Sequence, residues 1–196
     1  RIKKMQNYLI PYPVFYELIR KYSEKHRHYH NWEHINEMLS IADSLSVELS
    51  EAQKIAILFH DAIYNIGDKD NEIKSASFMR EELEGTYISD ETIQIAERII
   101  LDTANHQPSI EESKIVLDLD MAHLSFDFNI FLHYRDKIKK EYSIFSDYDF
   151  YNGEISFMEN TLKQEKILFT NLFDEDKLRA NLKKKILINI SKLKVD

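Results

Sequence analysis

The sequence predicts an all-α protein, a bundle of about eight or nine helices, and three observations carry that prediction. Apolar residues recur at spacings of three and four along almost the whole chain, the period of one helix face. No segment alternates polar and apolar residues between turn signals, as a half-buried strand would. Helix start and stop residues fall between the periodic stretches.

Taken in order, NWEHINEMLSIADSL places Trp32, Ile35, Met38, Leu39, Ala42 and Leu45 on one stripe. EAQKIAILFHDAIY is apolar nearly all round from Ile55 to Phe59, which predicts a central, buried helix. DNEIKSASFMREELEGT stops at Gly85, a residue that accepts the backbone of a helix end. SDETIQIAERIILDTANH opens on Ser89 as N-cap, carries acids in its first turn and is closed by Pro108. IEESKIVLDLDMAHL, NIFLHYRDKIKKEY, EISFMENTLKQEKILF and EDKLRANLKKKILINISKL complete the set. In the last, Leu178, Leu182, Ile186, Ile190 and Leu193 form a stripe opposite lysines. The expected role is a terminal helix packed on the domain, ahead of a membrane-surface helix.

The 196 residues suit one domain, 1–196, with a core at about 26–145 and C-terminal helices at about 147–194 packed on it. Hydrophobic residues at 43% and charged residues at 31% fit a globular chain. A net charge of −8 argues against a general nucleic-acid coat, which needs a basic surface. There is no cysteine, which removes thiol catalysis, disulfides and thiolate zinc sites and fits a reducing, cytoplasmic setting. No apolar run is long enough to span a bilayer, so no membrane partner is expected. RIKKMQNYLIPYPVF is broken by two prolines and two tyrosines and is not read as a signal peptide. Position 1 is arginine, so the natural start is expected upstream. The only glycines are Gly67, Gly85 and Gly153, and no GxGxxG, P-loop or GxSxG motif can be written.

RHYHNWEHI holds the first candidate site residues. On a helix His30 and His34, four apart, share a face. AILFHDAIY then sets His60 and Asp61 in the most apolar helix, where a carboxylate needs compensation worth several kcal/mol. A divalent cation supplies it. VLDLDMAHL offers Asp118 and Asp120, which lie roughly 200° apart around a helix, so only one can face a shared ion. Two imidazoles with two carboxylates suit Mn, Fe, Ni, Co or Mg better than a closed structural zinc site.

The order His34…His60-Asp61…Asp120 resembles the HD superfamily of metal-dependent phosphohydrolases, all-helical proteins with the ligand pattern H…HD…D. YHNWEHI resembles the YHNxxH element of cyclic-nucleotide phosphodiesterases and of a small bacterial subfamily of predicted HD phosphohydrolases. The likeness continues through FHDAIY, NEIKSA, DLDMAHL, YRDKIKKEY and LRANL. It implies that His34, His60, Asp61 and Asp120 hold the metal, with Asp120 preferred to Asp118, and that His30 is the general acid. The chain departs from the subfamily pattern at Gly153-Glu154, where that pattern has an arginine after the glycine.

The reaction implied is cleavage of a phosphoester of a nucleotide or related small molecule. The metal acidifies a water and polarises a phosphoryl oxygen, while Asp61 and Asp120 orient that water. Arg27, Lys74 and Arg98 are candidates for phosphate contact by position alone and read more simply as solvated charges. Asn31, Glu72 and His106, with Arg27, are the residues expected to brace the ligands or touch substrate. His106 could serve a second metal or a phosphate, or simply cap a helix end. His123 and His133 are expected partly buried, His26 and His28 solvent-facing. A homo-oligomer is compatible with this reading.

Three alternatives stand beside it. HNWEH also matches H-x-x-E-H, a peptidase signature with Glu33 as base, but this leaves His60-Asp61 unexplained. Some HD-fold proteins hold two irons and activate oxygen; they need additional histidines, and here only His106 lies between the doublet and the last aspartate. A non-enzymatic sensing module would need no proton donor at His30.

Overall fold

The computed structural model describes residues 9–194 and is all-helical, with nine α-helices and no strand among the described residues. Two compact units divide between Leu119 and Asp120. The sequence had suggested one domain with its C-terminal helices set off after residue 145. The start of the chain, where a signal peptide was excluded, lies mostly outside the described residues.

The first unit holds α1 (Tyr12–Tyr22), α2 (Trp32–Ser44), α3 (Glu51–Phe59), α4 (Asn71–Leu83), α5 (Asp90–Thr103) and most of α6 (Ser113–Met121). Helix α1 was not among the expected elements. Pro11 and Pro13 read as interruptions, yet Pro11 is the N-cap and Pro13 sits in the first turn, where a missing N–H costs nothing. Val14, Leu18 and Tyr22 bury its inner face, and the Tyr22 hydroxyl donates to the Leu58 carbonyl at 2.9 Å.

Helix α3 is the central element, as its all-round apolar sequence predicts. Every residue from Ala52 to Phe59 except Lys54 is buried, and the helix packs against α2, α4 and α5. Burial of each large aliphatic side chain contributes about 1.5–3 kcal/mol. Its start is a capping box: the Gln53 amide donates to Ser50 Oγ at 3.2 Å, and the Ser50 amide donates to Gln53 Oε1 at 2.8 Å. The helix ends at Phe59, so His60 and Asp61 lie at its end and not inside it, as the sequence had suggested.

The second unit holds a 3-10 turn (Ala122–Ser125), α7 (Phe128–Glu141), α8 (Asp147–Lys163) and α9 (Glu175–Leu193). Its apolar core joins Leu124, Phe131, Met158, Leu168, Leu178 and Leu182. Beside it lies a buried ionic cluster. Glu154 accepts from Arg135 Nε at 2.7 Å, from Lys185 Nζ at 2.9 Å and from Asn189 Nδ2 at 2.6 Å. The glutamate that departs from the subfamily pattern is therefore the anion that neutralises two buried cations. Burial alone would raise its pKa, but Arg135 and Lys185 outweigh that and hold the carboxyl below its ordinary range. In α9 the buried stripe runs through Leu178, Asn181, Leu182, Lys185 and Asn189, so its second half turns a polar seam inward while Ile186, Ile190 and Leu193 are only half-buried. No described helix is long and apolar enough to cross a membrane.

Helix α8 begins at Asp147, with Ser146 accepting from the Asp149 amide as its cap. Gly153 therefore sits in a helix interior, and a Cβ there meets nothing within 4 Å. Gly153→Ala should stabilise the protein by about 0.5–1 kcal/mol in urea denaturation, because nothing opposes the loss of unfolded-state entropy. Glu154→Ala should cost about 3–5 kcal/mol in the same assay, since Arg135 and Lys185 are left buried without their counter-charge. A carboxyl with a depressed folded pKa stabilises above its unfolded value of 4.5, and that stabilisation is lost as the pH falls through the lower folded value. Glu154→Gln should flatten this acid limb of the wild-type stability profile.

Candidate metal centre

Three of the predicted residues converge. The ligating atoms of His34, His60 and Asp61 all lie within 4.8 Å of one another, and all three residues are buried. Two ligands at about 2.1 Å from one ion stand at most about 4.2 Å apart, so this spread is close to that of a coordinated set.

His34 comes from the first turn of α2. That turn is fixed by Asn31, whose Oδ1 accepts from the Glu33 amide at 2.9 Å and whose Nδ2 donates to the Arg27 and His28 carbonyls at 3.4 Å and 3.3 Å. Trp32 anchors it by packing edge-on against Phe15, with ring centroids 5.5 Å apart. His30 precedes this cap, and Asn31 is extended (φ −127°, ψ −174°), so His30 and His34 do not share a helix face. The expectation of an i, i+4 helical pair is corrected: the sequence spacing is helical but the cap falls between them. The rings remain neighbours, with centroids 6.4 Å apart, while His30 stacks on Tyr64 at 4.0 Å.

His60 is the C-cap of α3. Its Nδ1 lies 2.9 Å from the Ile57 carbonyl, and a carbonyl only accepts, so Nδ1 carries the proton. In the neutral ring Nε2 is then a bare lone pair, and it stands 3.1 Å from Asp61 Oδ2. Two lone pairs at that separation require a proton or a cation between them. The His34 ring lies 5.4 Å from the His60 ring, centroid to centroid. A metal-binding histidine commonly donates its non-ligating ring N–H to a backbone carbonyl, as His60 Nδ1 does here. The donors present fit a divalent cation of the Mn, Fe, Co or Ni kind: nitrogen and oxygen atoms, no thiolate, and one carboxylate charge against two on the ion.

The other predicted residues are not part of this converging set, and each has its own surroundings. Arg27 is not a solvated charge: its side chain is 1% exposed. Glu72, at the start of α4, is half-buried. Burial pushes its carboxyl above the ordinary range and the Asp61 charge adds to that, while its own backbone amide, His106 and His60 act against it. His106 lies after α5 with a left-handed backbone (φ 51°), a conformation histidine tolerates better than most residues. Its loop is pinned by Asp102, whose Oδ2 accepts from the Ser109 amide at 2.7 Å and from Ser113 Oγ at 2.6 Å. Asp120 is half-buried on the last turn of α6 and is the first residue of the second unit, whereas Asp118 is fully buried. His123 is buried and its Nδ1 donates to the Asp120 carbonyl at 3.2 Å. His133 is exposed, contrary to expectation. His26 is half-buried, with Nε2 donating to the Tyr64 carbonyl at 3.0 Å, and does not simply face solvent. Lys74 is ion-paired with Asp68, and Lys74 and Arg98 are exposed. Glu33 is exposed while His34 is buried against His60 and Asp61, so the converging set gives no support to the peptidase reading.

Sequence reasoning missed two contributors. Tyr64, the ring beneath His30, lay in a quoted motif without a role. Asp102 was given no role, and only its partners Ser109 and Ser113 reveal one.

A carboxyl with a raised folded pKa binds its proton more tightly in the native state, so its ionisation destabilises the fold as the pH rises above 4.5. Glu72→Gln should therefore raise the thermal midpoint of metal-free protein at pH 7, and the gain should vanish below pH 4.5. Compared with protein-family models, with curated proteins and with solved structures, the chain matches none.

Proposed function

We propose that this chain is a metal-dependent phosphohydrolase of the HD type, cleaving a phosphoester of a nucleotide or related small molecule. The observation that supports this reading is the buried convergence of His34, His60 and Asp61, two imidazoles and a carboxylate from two separate segments. The sequence pattern names Asp120 as the second carboxylate. When bound, a divalent cation supplies Lewis acidity toward a phosphoryl oxygen and acidifies water. His34 and His60 would hold that ion through ring nitrogens, and the Ile57 carbonyl engages His60 Nδ1 so that Nε2 is the nitrogen on the Asp61 side. Asp61 brings negative charge to the ion and an acceptor for the proton of a nearby water. His30 stands beside the ligands and delivers a proton to the departing oxygen, a task suited to a group that titrates near neutrality. Stacking on Tyr64 holds its ring in place.

The test is elemental analysis of the purified protein, followed by phosphoester and nucleotide panels with Mn, Co, Ni and Mg supplied in turn. Release of inorganic phosphate or a nucleoside monophosphate is expected. His30→Ala should lower kcat about 10²–10⁴-fold with metal content intact, whereas His60→Ala should lose metal and activity together. Equal metal loss in the two variants would overturn the roles assigned. Oxygen uptake without hydrolysis would replace the reaction class.

A further inference from the structure

Arg27 has an arrangement that neither charge solvation nor substrate binding explains. Its Nε donates to Glu24 Oε2 at 2.9 Å. Its Nη1 donates to the His30 carbonyl at 3.1 Å and to the Asp61 carbonyl at 2.6 Å. Its Nη2 donates to the Ala62 carbonyl at 2.9 Å. A guanidinium has five N–H donors in a fixed plane, and these contacts engage four of them. With a 1% exposed side chain and its donors turned onto carbonyls, Arg27 has no face to offer a phosphate. The plane is packed near the Tyr22 and Tyr64 rings, 5.2 Å and 5.8 Å from their centroids. Tyr64 is also the ring on which His30 stacks.

The consequence is geometric. The His30 segment and the His60-Asp61 turn are separated by three decades of sequence and belong to no common helix. Both are irregular backbone, with carbonyls that no helix ladder satisfies. One rigid cation satisfies a carbonyl on each side and so fixes their separation. A lysine, with one nitrogen at the end of a flexible stem, can reach one of these carbonyls but cannot hold the span.

We infer that Arg27 is a positioning residue that sets the Asp61 turn against the His30 segment and thereby preorganises the metal centre. This rests on the metal-dependent reading above. The probe is Mn2+ titrated into metal-free protein and followed by electron paramagnetic resonance, a readout independent of turnover. Arg27→Lys and Arg27→Ala should raise the Mn2+ dissociation constant about 10–100-fold, the usual effect of removing a group that orients ligands. Leu83→Ala, in the buried face of α4, serves as a variant that loses thermal stability and alters none of His34, His60, Asp61 and Arg27, and it should bind Mn2+ as wild type does. Millimolar methylguanidinium should restore Mn2+ affinity to Arg27→Ala, and methylammonium should not. Wild-type affinity in a folded Arg27→Lys protein would overturn the inference, as would an equal loss in Leu83→Ala. Loss of helical circular dichroism in both Arg27 variants would also overturn it, making Arg27 a folding residue only. Wild-type protein that takes up no Mn2+ would sink the metal reading itself, an outcome visible without any variant.

Discussion

The cost of burying a carboxylate against imidazole nitrogen is the constraint from which the rest of the first unit follows. Helix α3 is apolar on all sides because it fills the centre, and its C-terminal end delivers His60 and Asp61 into that same interior. A helix end leaves carbonyls without intrahelical partners, and three of the nearby ones are used. The Ile57 carbonyl takes the His60 Nδ1 proton, and the carbonyls of Asp61 and Ala62 take Arg27. Packing, capping and ligand orientation are thus one problem with one solution. The chain stops its most buried helix where polar groups are needed, then spends the freed backbone acceptors on holding those groups still.

The two units treat buried charge in opposite ways. In the second, Glu154 accepts from Arg135, Lys185 and Asn189, so the buried carboxylate meets its cations within the protein. Such a cluster sets its charges against one another. In the first, His60 Nε2 and Asp61 Oδ2 stand 3.1 Å apart, a pair that needs a proton or a cation between them, with a second imidazole alongside. That set is complementary to a positive charge. The contrast separates a structural ionic cluster from a candidate centre more sharply than burial does, since both are buried.

Much of the fold was legible in the sequence because helix signals are local. Ser89 caps a helix as expected, and Gly85 follows one with the left-handed backbone its type permits, whereas the helix expected from Glu154 starts at Asp147 on a cap, Ser146, that was not picked out. The exceptions have local causes too. Proline in a first turn is compatible with a helix, so α1 was hidden by reading Pro11 and Pro13 as breaks. The inward face of late α9 is polar, and hydrophobic periodicity cannot find a stripe made by Lys185 and Asn189.

For the candidate site, residue identity was readable and residue role was not. His34, His60 and Asp61 were named from their types, the apolar run before the doublet and the likeness to the H…HD…D pattern, and the structure brings those three together. The sequence by itself determined the helical class, most helix limits and the donor chemistry. Only the tertiary structure decided that a cap separates His30 from His34, that Glu154 balances two cations, and that Arg27 faces carbonyls in place of solvent. Those facts depend on which distant backbone atoms meet a side chain, and no property of a residue's own neighbours in the chain encodes that meeting.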